Sequence, residues 1–191
     1  MRWFRSLFYG LSTAIAASPA LMPRAPTGSF NLYAYGTGIG GAPVFYAGDV
    51  VYLGQLSSLN STEAAPVLFE TGDNNALKGN PNTTSSTTSP SWSNVTLFVP
   101  GPTSSSHKVG FSNTTTNGTV SASGFVFYGQ DVLHENSNGN LETLWYAVPA
   151  SMDSVWSLNW NSTGDETEGI IMVSLRSAAP SRPDFDEDAD A

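Results

Sequence analysis

Cysteine is absent from all 191 residues. That excludes disulfides, zinc–thiolate sites and thiol nucleophiles together. Charge is scarce as well: 7 Lys and Arg face 16 Asp and Glu, for a net charge of −9. A nucleic-acid binder needs a basic face to displace counterions from phosphate, and these few cations cannot supply one. Only two histidines occur, His107 and His134, so imidazole chemistry rests on that pair. Helical periodicity is missing too. Gly, Pro, Ser, Thr and Asn interrupt nearly every window in which apolar residues could recur at three- and four-residue spacing. Apolar runs fall short of the roughly 20 residues that span a bilayer.

The N-terminus reads as an address. Arg2 and Arg5 precede the apolar run Leu7–Ala17, and the small residues Ser18 and Ala20 follow in the positions a signal peptidase reads. Residues 1–20 are therefore expected to be a signal helix that is removed, leaving no membrane contact afterwards. Residues 21–28 read as a short pro-segment or linker, with Arg24 as a further trimming point, and 29–177 as a single domain. Beyond 178 the sequence turns to proline and acid, and 178–191 is expected to be a disordered tail. Its run "DFDEDAD" begins like a calcium loop but lacks the required glycine and the closing glutamate. No metal site and no cofactor are expected.

What is present is sugar-acceptor sequence and strand sequence. Asn-x-Ser/Thr occurs at Asn60, Asn82, Asn94, Asn113, Asn117 and Asn161. Beside an export signal, these six read as N-glycosylation sites on the surface. Short segments rich in aromatic and branched residues lie at 29–35, 43–47, 50–54, 66–70, 95–99, 108–111, 124–129, 131–135, 141–148, 154–160 and 170–175. They predict an all-β fold, an antiparallel β-sandwich or jelly roll of about ten strands. Gly48-Asp49, Gly129-Gln130 and Asn138-Gly139 stand where hairpin turns are needed. The hydroxyl-rich run 80–94 reads as a mobile or functional loop.

One motif invites another reading. Gly36-x-Gly38-x-x-Gly41 has the spacing of a dinucleotide fingerprint. That fingerprint needs a helix opening behind the glycines to cradle the pyrophosphate. Here "APVFYAGDVVYLG" follows, which is strand and hairpin, so the glycines are expected to serve a turn or a close approach.

Catalytic signatures are thin. No Gly-x-Ser-x-Gly elbow accompanies the histidines, and His134, beside the Asn138-Gly139 turn, reads as a solvated rim residue. A glycosidase needs two carboxyls a few ångström apart. The acids available are Glu70, Asp73, Asp131, Glu135, Glu142 and the group Asp165, Glu166 and Glu168. They read as solvated surface charges, and no catalytic residue is assigned. Trp156, Leu158 and Trp160 alternate along one strand face and read as core. Trp92 lies in the polar loop without apolar neighbours, and is expected to be the exposed aromatic that meets a ligand.

The runs "FNLYAYGTGIGGAPVFYAGDVVYLG", "WSNVTLFVPG" and "SVWSLNWNSTG" are similar to an uncharacterised family of small secreted glycoproteins of filamentous fungi. The resemblance implies a cell-wall or extracellular, effector-like setting and brings no catalytic residues with it. The expectation is a secreted, N-glycosylated, non-catalytic β protein. Its expected partner is cell-wall polysaccharide or a host extracellular protein. Two other expectations stand beside it: a polysaccharide-cleaving enzyme using a carboxylate pair on a jelly roll, and a structural surface glycoprotein.

Overall fold

The computed structural model describes residues 25–59, 61–84, 89–113 and 119–181. The expected signal helix, residues 21–24 of the linker and the acidic residues from 182 onward lie outside the described residues. Fourteen strands form within them. The first half carries β1 (Tyr33–Gly36), β2 (Ile39–Ala47), β3 (Val50–Gly54), β4 (Ala65–Thr71), β5 (Leu77–Pro81) and β6 (Val95–Pro100). The second half carries β7 (Gly110–Ser112), β8 (Val120–Ser121), β9 (Phe125–Tyr128), β10 (Asp131–Glu135), β11 (Leu141–Glu142), β12 (Trp145–Pro149), β13 (Val155–Trp160) and β14 (Ile171–Arg176). The all-β expectation holds.

The pairing path differs from two separately edged sheets. It runs β1-β2-β4-β5-β6-β7-β3-β13-β12-β14, and β14 pairs back onto β1, so ten antiparallel strands close a ring. The reason is that β2 and β14 each serve two neighbourhoods. The N-terminal half of β2 pairs with β1, and its C-terminal half lies between β3 and β4. β14 pairs with β12 at its start, with β10 at Arg176, and with β1 from Val173 to Arg176. The ribbon β9-β10-β11 branches from that last strand, and β8 adds to β6. Closure matters because an open sheet edge offers unpaired backbone groups to other chains.

Alternation supplies the core. In β4 and β6 every second side chain turns inward, placing Val67, Phe69, Val95, Leu97 and Val99 in one cluster with Leu32, Val51, Leu53, Leu158 and Leu175. Each such side chain contributes roughly 1.5–3 kcal/mol on leaving water. Two aromatic groups fill the ring. At one end Phe30, Phe69, Phe111, Tyr46 and Trp92 run ring to ring. At the other, His134 meets Phe125 and Trp160, and Trp145 packs against both of those rings. Trp145 is fully buried and its indole Nε1–H donates to the Val132 carbonyl at 2.8 Å, so its one polar atom is satisfied.

The glycine fingerprint is a hairpin. Gly36 pairs with Ile39 across the turn Thr37-Gly38, and β2 follows with no helix. Ala34 pairs with Ala42 and Tyr35 with Gly40, which leaves Gly41 as the extra residue of a bulge, at φ 95°. Gly48 and Asp49, at φ 59° and 65°, make the two-residue turn between β2 and β3. Asn138-Gly139 lies instead within a longer turn, because β10 and β11 pair only as far as Glu135↔Leu141. Residues 178–181, expected to open the disordered tail, lie against β1: Tyr35 Oη donates to the Ala178 carbonyl at 2.8 Å.

Gly54 tests the closure. Its φ is 111°, and a Cβ there would fall 2.0 Å from the Ser154 carbonyl oxygen, where β3 meets β13. Gly54→Ala is expected to lose upwards of ~2 kcal/mol, combining an unfavourable φ with a backbone clash. Gly48→Ala, at φ 59° with open space around the new methyl, should lose about 1 kcal/mol. Urea denaturation midpoints of the two variants check the order.

Candidate functional site

A cleft of about 610 Å³ opens beside the His134 end of the ring, a size within the range of small-molecule sites. Its construction follows from strand register. His134 on β10 stands opposite Glu142 on β11. It faces inward and is 6% exposed, with the edges of Phe125 and Trp160 against it at 5.4 and 5.6 Å between centroids. The imidazole Nε2 lies 2.8 Å from Ser121 Oγ on β8. The sequence reading of His134 as a solvated rim residue is therefore corrected. The ribbon lays His134 between its own Phe125 and Trp160 of β13, so this inward position is covered.

The surrounding loops are tied down by side-chain amides. Asn136 Oδ1 accepts from the Asn138 and Asn140 backbone N–H groups at 2.9 and 3.1 Å, and its Nδ2 donates to Glu142 Oε1 at 2.6 Å. One asparagine thus shapes the turn and aims a carboxylate into the cleft. On the opposite wall His107 Nδ1 sits 2.7 Å from the Asn161 carbonyl oxygen, and the Trp160 N–H donates to the His107 carbonyl at 2.9 Å. Ser104, Ser123 and Thr163 add hydroxyls, and Leu144 and Trp160 add apolar surface. Among the described residues no Lys or Arg lines the cleft, whereas Glu135 and Glu142 do. That charge pattern disfavours phosphate or carboxylate ligands and suits a neutral, hydroxyl-rich one.

Burial holds the His134 imidazole below its ordinary pKa, against the opposing pull of the Glu142 carboxylate, a Ser123 backbone hydrogen bond and the Glu135 carboxylate. The ring is neutral at pH 7. Outside the cleft, Asp165 accepts from Thr167 and from Tyr146 Oη, and these bonds hold its carboxyl down at about 2.

The acids considered for catalysis are dispersed. Asp131 is paired with Arg176 at 2.7 Å, Glu70 accepts from Ser29, and Asp73 opens a short 3-10 turn. Glu166 and Glu168 are exposed in the loop beyond Asp165. Glu135 and Glu142 border the cleft, but they lie at neighbouring cross-strand positions, Glu142 opposite His134 and Glu135 opposite Leu141. Their side chains leave opposite faces of the ribbon.

Trp92 is the clearest correction. It is 7% exposed, stacks on Tyr46 at 4.3 Å and donates from Nε1 to the Glu63 carbonyl at 2.8 Å. Ser91 secures the same spot through two 2.8 Å bonds to Glu63 Oε2. The indole plugs the ring end remote from the cleft and anchors the polar loop. Of the sequons, Asn94 and Asn113 are exposed and Asn82 is half-buried. Asn161 lines the cleft. Asn60 and Asn117 lie outside the described residues. The cleft itself escaped the sequence reading because Ser121, His134, Glu142 and Asn161 meet only through ring closure.

Two measurements check this description. Trp92→Ala is expected to cost ~3–5 kcal/mol, as for a buried aromatic truncated in a core, read as a thermal unfolding shift. For His134, the unfolded ring takes a proton below about pH 6.5, while the folded ring resists it. Its contribution to stability is complete above that pH and is lost as pH falls toward the lower folded value. Between pH 7.5 and 5, the urea midpoint of the native chain should fall more steeply than that of His134→Gln. Parallel profiles would remove His134 as the cause.

Comparison with protein-family models, with curated proteins and with solved structures finds no match to this chain.

Proposed function

We propose that this chain is a secreted, N-glycosylated, non-catalytic β protein of the cell wall or extracellular space, and that its cleft binds a neutral glycan. One observation carries the reading. The cleft combines amides, hydroxyls and imidazoles with a small apolar wall, and among the described residues no Lys or Arg lines it. A sugar presents hydroxyls that both donate and accept, together with an apolar face of C–H groups. Asn136, already bonded at both ends of its side chain, is a rigid frame of the kind that lowers the ordering cost of binding. Departure of Glu135 and Glu142 from opposite faces of the ribbon supports binding over hydrolysis, since hydrolysis needs both acids on one substrate bond. The cell-wall polysaccharide of a filamentous fungus or of its host suits this chemistry.

Enzymatically deglycosylated protein, screened on a glycan array and followed by calorimetry, tests the proposal. Ser121→Ala and Glu142→Ala should each weaken binding about 5- to 10-fold, the equivalent of one lost hydrogen bond of ~1–1.5 kcal/mol. Tyr128→Ala, at an exposed position outside the cleft lining, should leave binding unchanged. Absence of binding to any sugar would end the proposal. Release of new reducing ends from a polysaccharide would replace it with a hydrolase.

A further inference from the structure

The chain carries its own candidate ligand at the cleft. We propose that a glycan attached to Asn161 folds back into the cleft, occupies it in cis, and gates it against sugars from outside. This rests on the glycan-binding reading above and adds the identity of the resident occupant.

Among the described sequons, Asn82, Asn94 and Asn113 are not cleft residues, whereas Asn161 lies in the lining itself. It follows Trp160 at the end of β13, in the positive-φ region at 56°. Its polar groups are committed save one. The backbone N–H donates to the Leu144 carbonyl at 2.9 Å, the carbonyl meets His107 Nδ1 at 2.7 Å, and Oδ1 accepts from the Thr163 N–H at 3.2 Å. The remaining group, Nδ2, makes no hydrogen bond among the described residues. It is the atom that receives the sugar. Attachment replaces one Nδ2 hydrogen by the anomeric carbon of an activated, pyrophosphate-linked glycosyl donor. The bond from that carbon to the leaving phosphate breaks, and the phosphate departs with its electrons while the proton goes to base.

The first sugars of such a glycan are N-acetylated hexosamines, and they begin at the cleft wall. Across the opening stand Ser121, Asn136 and Glu142, which offer acceptors for the acetamido N–H and donors for its carbonyl. Tethering decides the occupancy. A short flexible link gives an effective concentration on the order of millimolar. A site with a Kd of ~100 μM would then be about nine-tenths filled in cis, and a free competitor would bind about tenfold more weakly.

Thr163→Ala removes the sequon and keeps Asn161, because the bond to Oδ1 comes from the residue 163 backbone. Thr163→Ser preserves the sequon, and Asn113→Gln removes a sugar site outside the cleft. All three, with the native chain, are produced in a eukaryotic secretory host. Mass spectrometry reads attachment at Asn161, hydrogen exchange reads the amides of 120–124 and 134–142, and titration uses soluble chitotetraose. The expected result is an occupied Asn161 in the native chain, Thr163→Ser and Asn113→Gln. Slower exchange at the cleft amides and about tenfold weaker chitotetraose binding than in Thr163→Ala should accompany it. An unmodified Asn161, or a modified one with exchange and affinity equal to Thr163→Ala, overturns the gating. If the native chain produced without sugar attachment, with the Thr163 hydroxyl in place, binds chitotetraose as weakly as buffer controls, the hexosamine occupant falls. If it also binds nothing on the glycan array, the glycan-binding reading falls with it.

Discussion

The closing contact between β1 and β14 is the constraint on which the other features depend. Four in-register pairs, from Tyr33↔Arg176 to Gly36↔Val173, join the first strand to the last. With no cysteine in the chain, this seam is held by backbone hydrogen bonds and by the side chains it covers. Gly36 shows how tightly: a Cβ there would meet the Met172 carbonyl oxygen at 2.7 Å. Once the seam forms, the sheet has an inside. Leu32, Ala34, Val173 and Leu175 enter the same cluster as Val67 and Leu97 from the far side of the ring. The burial of that cluster is the main favourable term available to a chain without disulfides.

The ring also creates two unlike ends. One is sealed by Trp92 on Tyr46, whose hydroxyl bonds Asp49 at 2.6 Å and is pushed up to about 12 by burial, with that bond acting in the same direction. The other is built from β8, the β10–β11 turn and the end of β13, and it stays open as the cleft. Polar side chains concentrate at the open end because its loops leave the apolar ring and need other partners for their backbone groups. Asn136 and Ser121 supply some of those partners, and both residues line the cleft. A rigid frame carrying polar loops is the usual arrangement for binding.

Strand positions were largely legible in the sequence because most strands alternate. β3, β4, β6, β10, β13 and β14 lie within a residue or two of their expected places. β5 was not legible. Its sequence Leu-Lys-Gly-Asn-Pro reads as a turn, and it is a strand because β4 and β6 flank it and Gly79 lets Val67 and Val95 close over it. Tertiary pairing overrode local propensity there. Trp92 was misread for a related reason: its sequence neighbours are polar, and its partners Tyr46 and Glu63 lie 46 and 29 residues away. The cleft was illegible for the same cause in stronger form. Ser121 and His134 are separated by 13 residues, and nothing in the run between them signals that their side chains touch.

Amide shift mapping by two-dimensional NMR tests the central claim, that the open end of the ring is where this protein meets sugar. The unglycosylated, isotope-labelled chain would be titrated with soluble oligosaccharides, with the Trp92 indole N–H as a marker for the sealed end. The account predicts shifts at Ser121–Gly124 and His134–Glu142, and a Trp92 signal that does not move. Shifts centred on Trp92 and Tyr46, with none around His134, would contradict it.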